Sequence, residues 1–291
     1  MDFAQQLVNG VQIGSVYALV AIGYTMVYGI AKMINFAHGD IIMVGSYVAL
    51  LFFQSSGLPV WGVIAATAAV SAVLGVTIER LAYKPLRGGS RMSALITTIG
   101  VSLMLQNGFL LIFGSSPKPF PNHFTGEGFT LGGVTVSRLT AITLVVTVVL
   151  MVLLTLFVNR TRVGKAMRAV SEDQGAAQLM GINIDTSISI PFAIGSALAA
   201  VAAVLYSSTY PLINPYMGSM LGLRAFIAAV IGGIGVIPGA MIGGFIIGIA
   251  EALIKRYISS AMADAIVFAL LIIVLLVKPS GLLGRNEREK V

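Results

Sequence analysis

Residues 139–158 read LTAITLVVTVVLMVLLTLFV, a run with no charged residue. As a helix rising about 1.5 Å per residue, such a run is long enough to cross the ~30 Å hydrocarbon core of a bilayer. Outward from it the pattern repeats. Apolar segments at roughly 7–29, 38–55, 59–79, 92–113, 188–210, 218–236, 238–256 and 263–278 bring the total to nine. The composition agrees, with 57% hydrophobic residues, only 10% charged and a mean hydropathy of +0.95. A soluble domain carries about 25% charged residues, so this chain has too few to clothe a water-facing surface. The 33 glycines sit inside the apolar runs, where they let membrane helices approach closely. The fold class is an all-α integral membrane protein: a polytopic bundle of about 8–9 transmembrane helices, a single domain over residues 1–291.

The net charge of +7 does not point to nucleic acid, because the cations lie in short loops between apolar runs. Arg80, Lys84, Arg87 and Arg91 share one loop. Arg160, Arg162, Lys165 and Arg168 share a second, and Lys278, Arg285, Arg288 and Lys290 mark the C-terminal tail. The positive-inside bias places all three in the cytoplasm. Segment 114–138, rich in proline and glycine, falls on the other side. Nine crossings then put the N-terminus outside and the C-terminus inside, with Lys255 and Arg256 outside as a violation of the rule. The alternative, 218–236 as a re-entrant half-helix, moves that pair inside but puts the basic tail outside. The N-terminus MDFAQQLVNG lacks a basic leader, so the first apolar run reads as a retained helix. The chain has no cysteine, which excludes disulfides and thiolate metal sites.

A short internal repeat stands out. Ile34-Asn35-Phe36-Ala37-His38-Gly39 recurs as Ile213-Asn214-Pro215-Tyr216-Met217-Gly218, each just ahead of an apolar segment. Five crossings separate the copies, so the second is inverted, an arrangement common in transporters. Tyr24, Tyr28, Asn35 and His38 near the first break, and Asn214 and Tyr216 at the second, are candidates to line a solute path. The aromatic ones are equally readable as interfacial belt residues.

Work needs an energy source. Ionisable groups deep in a membrane are costly and mark function, but few are visible. Glu79 and Arg80 lie at a helix end, and Glu251 and Lys255 are spaced to pair at i,i+4. Asp40, just after the Asn35 break, is the candidate for a deep position. It is also readable as an acid at a helix start, complementing the helix dipole. No chain of such groups suits a proton relay. Gly164-Lys165-Ala166 lacks the hydroxyl and upstream glycine of a phosphate-binding loop, and no catalytic or metal-ligand constellation is present. The reading is a non-enzyme without cofactor or metal.

The most informative loop is 159–187. Ser171 with Gln174 reads as a capping box, acids Glu172 and Asp173 occupy the first turn, and Gly181 suits the left-handed position past a helix end. Between them lies a two-turn helix with Ala176, Ala177, Leu179 and Met180. A helix so short needs packing against something. A partner protein or the membrane surface are both open as its support. The run Gly232-Gly233-Ile234-Gly235-Val236-Ile237-Pro238-Gly239 reads either as a helix discontinuity or as a tight turn.

These residues resemble a known family. Gly23-Tyr24-Thr25-Met26-Val27-Tyr28-Gly29-Ile30 and Met33-Ile34-Asn35-Phe36-Ala37-His38-Gly39-Asp40 are similar to the opening signature of LivH-type permeases. These are membrane subunits of branched-chain amino acid ABC importers. The Glu172–Asn183 loop, the Ile213–Tyr216 stretch, Gly232–Gly244 and Pro279–Arg285 are similar as well, while 114–138 matches least. The resemblance implies a second, LivM-like permease, two cytoplasmic ATPase subunits and an extracytoplasmic solute-binding protein around a bacterial cytoplasmic membrane subunit. It implies a small amino-acid substrate moved by alternating access along the permease interface. It further implies that Glu172, Asp173, Ala176, Ala177, Met180 and Gly181 couple to an ATPase; Tyr28, Asn35, His38, Asp40, Asn214 and Tyr216 remain the candidates for the path from the reading of the residues. Import of urea or short amides, a passive small-solute channel and a membrane scaffold are the competing readings.

Overall fold

A computed structural model describes residues 2–87, 89–124, 126, 128–131 and 133–284; Arg285, Arg288 and Lys290 of the basic tail lie outside them, as does the side chain of Arg91. Each of the nine apolar segments coincides with a helix: α1 (Asp2–Ala31), α2 (His38–Ser55), α3 (Val60–Ile78), α4 (Arg91–Phe113), α5 (Arg138–Arg160), α8 (Ile184–Thr209), α9 (Met217–Gly232), α10 (Ile237–Tyr257) and α11 (Ala263–Val277). Among the described residues, six helical stretches (α1, α3 with its continuation to Leu86, α4, α5, α8 and α10) are long and apolar enough to cross a membrane. The molecule is a polytopic all-α membrane protein.

Caps mark where several helices begin. Ser90, Ser137 and Asn183 each accept a hydrogen bond from the backbone amide three residues on, satisfying one orphan N–H at the start of α4, α5 and α8. α3 does not stop at Ile78 but winds through a π-turn, Glu79–Tyr83, into a 3₁₀ turn, Lys84–Leu86.

Contacts sort the helix ends onto two faces of the bundle. At one end Gln5 bonds the backbone of Thr135, Asp2 pairs with Arg256, and strand β1 (Lys118–Pro119) pairs antiparallel with β4 (Leu212–Ile213). A small hairpin, β2 (Phe129–Leu131) with β3 (Val134–Val136), lies beside the α1 start. At the other end Lys84 and Arg87 reach Asp185, and the α9–α10 turn packs on Leu283 and Gly284. The N-terminus and Lys255–Arg256 therefore share one end; the basic loops at 84–87 and 160–168 share the other. Both members of the apparent charge violation are neutralised, Lys255 by Glu251 at 2.5 Å and Arg256 by Asp2 at 3.0 Å.

The inverted repeat is visible in the packing. α1 packs along α10 as α8 packs along α3, and α2 meets α8 as α1 meets α9. Where the halves meet, α2 and α9 touch backbone to backbone at Gly39 and Gly218. A Cβ placed on Gly218 would lie 2.9 Å from the Gly39 carbonyl carbon and 3.0 Å from the Asp40 Cα. One placed on Gly39 would lie 2.9 Å from the Gly222 Cα. These are the matched glycines of the two sequence copies, and only a residue without a side chain permits the approach. The glycine-rich run after α9 is a tight turn, with Gly233 and Gly235 at φ +106° and +95°.

Candidate functional site

The six path candidates do not form one pocket. They fall into two groups on either side of the Gly39–Gly218 contact. In the first, Tyr28, Asn35 and His38 line a cleft with Tyr24, Val27 and Phe226. The cleft owes its shape to the chain reversal between α1 and α2. Lys32, at φ +53°, ends α1 in the left-handed region, and residues 32–37 turn back into the bundle so that α2 starts at its interior. His38 stacks edge-on against Tyr24 at 4.6 Å. Asn35 and His38 are fully buried, and their Nδ2 and Nε2 atoms find no hydrogen-bond partner among the described residues. The free volume, ≈ 10 Å³, is about that of one water-sized sphere. In this conformation the cleft is closed to an amino acid.

The second group lies beyond the glycine contact. Asp40 is buried in the first turn of α2, and its Oδ1 accepts from Gln106 Nε2 at 2.9 Å. Gln106 also donates to Ser219 Oγ at 2.8 Å, tying α4 and α2 to the start of α9. Both readings of Asp40 hold at once: it occupies a helix start and it sits inside the bundle. Asn214 caps the local turn by accepting from the Tyr216 amide at 3.0 Å, and the Tyr216 ring is 51% exposed.

The sequence reading missed an ionic network. Arg224 lies in the middle of α9, where its Nη1 donates to Glu251 Oε1 at 2.9 Å and to Tyr17 Oη at 3.0 Å. Its Nη2 donates to Asp264 Oδ1 at 2.5 Å, and Tyr17 Oη donates to Glu251 Oε2 at 2.6 Å. Glu251 is 1% exposed. The available signal was a lone cation inside a membrane segment, with lone acids in the two segments that follow.

The 159–187 loop is a pair of helices rather than one. α6 (Arg162–Glu172) ends at Ser171–Glu172, and α7 (Gln174–Leu179) follows after a one-residue break. The capping box is corrected accordingly. Ser171 Oγ bonds back to Arg168 inside α6, and the cap of α7 is Asp173, whose Oδ1 accepts from the Ala176 amide at 2.9 Å. Asp173 wins because α6 already claims Ser171. The far end behaves as expected. Gly181 takes φ +79°, its amide bonds the Gln178 carbonyl, and the Ile182 amide bonds the Ala177 carbonyl, the double closure of a Schellman turn. Ala177 is buried, while Glu172 and Ala176 face out. Leu179 and Met180 are 90% and 82% exposed, two large apolar side chains held out from a bundle end ringed by cations.

Comparison with known proteins fits this architecture. The profile of the family described as "Branched-chain amino acid transport system / permease component" matches residues 6–275. A high-affinity branched-chain amino acid transport system permease protein, LivH, of Escherichia coli K12 is 48% identical, covering 99% of this chain and 98% of the relative. BraD, a permease protein of the same description from Pseudomonas aeruginosa, is 48% identical with the same coverage. A probable branched-chain amino acid transport permease protein from Methanocaldococcus jannaschii is 31% identical over 91% of this chain and 88% of its own length.

Proposed function

This chain belongs to the branched-chain amino acid transport permease family, and from that premise we propose that it is one membrane subunit of an ATP-driven importer. The importer takes up leucine, isoleucine and valine across the bacterial cytoplasmic membrane. A second, LivM-like permease completes the path, two ATPase subunits sit in the cytoplasm, and an extracytoplasmic binding protein delivers the solute. This chain hydrolyses nothing itself. The observation that carries the reading is α7: a six-residue helix fixed at both ends that presents Leu179 and Met180 to water. A helix so short persists only with support, and exposed apolar side chains on an aqueous end mark a contact surface.

The ends of the bundle take their sides from this reading. The α6–α7 end is cytoplasmic, and the end carrying Asp2, β1 and β4 is extracytoplasmic. ATP-driven closure of the ATPase pair moves α7, and the two permeases tilt to open the path to one side and then the other. The cleft at Tyr28, Asn35 and His38 and the Asp40 cluster beside Asn214 and Tyr216 are then the two halves of the gate that this chain contributes.

The test is reconstitution with the sister permease, ATPases and binding protein. Leucine accumulates in the vesicles only with ATP. Ala177→Trp and Gly181→Val leave the chain in the membrane and abolish solute-stimulated ATP hydrolysis. Normal stimulation in both variants would refute the coupling role of α7.

A further inference from the structure

Polar contacts joined by short stretches of backbone lead from α7 to the cleft. The Schellman turn after α7 leads within two residues to Asn183, the cap of α8. Asp185, in the first turn of α8, accepts from Lys84 Nζ at 2.5 Å and from Arg87 Nη1 at 2.6 Å. Arg87 in turn reaches Glu79 with its Nη2, and the other oxygen of that carboxylate accepts from Ser189 Oγ of α8 at 2.5 Å. Glu79 is 0% exposed. It opens the π-turn Glu79–Tyr83, and the residue that closes the turn, Tyr83, donates its hydroxyl to Asn35 Oδ1 at 2.7 Å. Asn35 is a wall of the cleft.

We propose that Asp185, Arg87, Glu79 and Tyr83 are positioning residues that form a strut, carrying the displacement of α7 through the π-turn of α3 to Asn35. The inference rests on the importer reading above and deepens it by naming the parts that connect the ATPase contact to the path. Each joint has a physical reason. The α7–α8 turn is closed by two backbone bonds, so α7 and the start of α8 move together. A carboxylate held by two cations fixes α8 to the end of α3. A buried acid bridging an arginine and a serine makes that joint costly to break by removal of one partner. A π-turn is a local irregularity of helix register of the kind found at functional sites. It sets the Tyr83 hydroxyl against the loop that closes the cleft. The Lys84–Asp185 pair is half exposed on both sides, so it adds little to stability.

The experiment uses the assembled importer in vesicles, with basal and solute-stimulated ATP hydrolysis measured side by side. Tyr83→Phe removes one hydroxyl, and Asp185→Asn removes one charge from a half-exposed position. Each is expected to assemble at wild-type level and keep basal hydrolysis within about twofold. Each is also expected to lose at least tenfold of the stimulation, with Asp185→Glu restoring most of it. A merely structural role would lower both rates together. Should Tyr83→Phe fail to assemble, Asp185→Asn against Asp185→Glu decides alone. Stimulation within twofold of wild type in Asp185→Asn, or equal loss in Asp185→Asn and Asp185→Glu, overturns the strut. Failure of the importer reading looks different: the wild-type complex itself would show no solute-dependent hydrolysis.

Discussion

Replacing Gly218 by alanine probes the contact on which the two halves of the bundle meet. The new Cβ would stand 2.9 Å from the Gly39 carbonyl carbon and 3.0 Å from the Asp40 Cα. Carbon atoms rest at about 3.5–4.0 Å, so α2 and α9 must part by roughly 0.5–1 Å. A gap of that size forfeits about a quarter to a half of each pairwise attraction along the seam. Overpacking of this kind costs about 1–3 kcal/mol. At roughly 2–4 °C per kcal/mol for a chain of this size, the melting temperature in detergent falls by roughly 2–12 °C. Gly39→Ala meets the same seam from the other side and loses a similar amount. Once the first methyl has separated the helices the second enters freely, so the double variant costs less than the sum. Gly108→Ala is the control, because a Cβ there meets nothing within 4 Å, and it is neutral or slightly stabilising. The assay is thermal unfolding of the purified chain by intrinsic fluorescence. Melting within 1 °C of wild type for Gly39→Ala and Gly218→Ala, or strict additivity in the double variant, would refute the account.

Three further outcomes follow from the same packing. Arg224→Met removes the cation that Glu251 and Asp264 share and leaves Glu251 with Lys255 alone; it destabilises the chain, by less than the about 3–5 kcal/mol of a fully stranded buried charge, read as a lowered melting transition and reduced membrane yield. Glu251→Gln, which keeps one oxygen to accept from Arg224 and offers an N–H to the Tyr17 hydroxyl in place of the other, is milder. Arg256→Ala removes a pair exposed on both sides, 53% and 75%, and shifts stability by no more than about 1 kcal/mol in the same melt. The chain has no native cysteine, so Gly57→Cys and Met180→Cys each offer one thiol to an impermeant maleimide. Label reaches them from opposite faces of the membrane, residue 180 from the cytoplasm; labelling of both from one face would overturn the two-ended sorting of the helices.

What was legible in the sequence follows from what a membrane demands locally. A spanning helix satisfies its own backbone, so its extent is written in one contiguous apolar run, and all nine runs from 7–29 to 263–278 became helices. Gly181 was legible for the same reason, since a left-handed turn after a helix is decided by one residue and its neighbours. Ser171 was misassigned because a capping box states that a helix can start there, not that a preceding helix ends later. α6 extends through Glu172 and passes the cap to Asp173. The Arg224 network could not be assembled from the sequence for a different reason, although its lone charges stand out along the chain. Its members come from α1, α9, α10 and α11, and nothing along the chain says which of four helices will face which. The path candidates were half legible: the repeat located both chain breaks, but which residues share a cleft depends on how the breaks pack.

The repeat and the ionic groups together describe how the bundle can be stiff and still move. Each half carries a buried glutamate bound to an arginine: Glu79, just past the end of α3, with Arg87, and Glu251, in α10, with Arg224 of α9. Because the halves are inverted, the two clamps sit toward opposite ends, and each ties helices that would otherwise be free to splay. Between them α2 and α9 touch backbone to backbone at Gly39 and Gly218, with Gln106 bridging Asp40 and Ser219 beside the contact. A charge clamp resists separation because breaking it strands a buried ion, whereas a smooth backbone contact resists sliding only through weak dispersion. On the proposed alternating-access cycle, the glycine contact is one place where α2 and α9 slide past each other. The seam is flanked by His38 on one side and Asp40 on the other, so a small slip there changes what the cleft and the Asp40 cluster present to a solute.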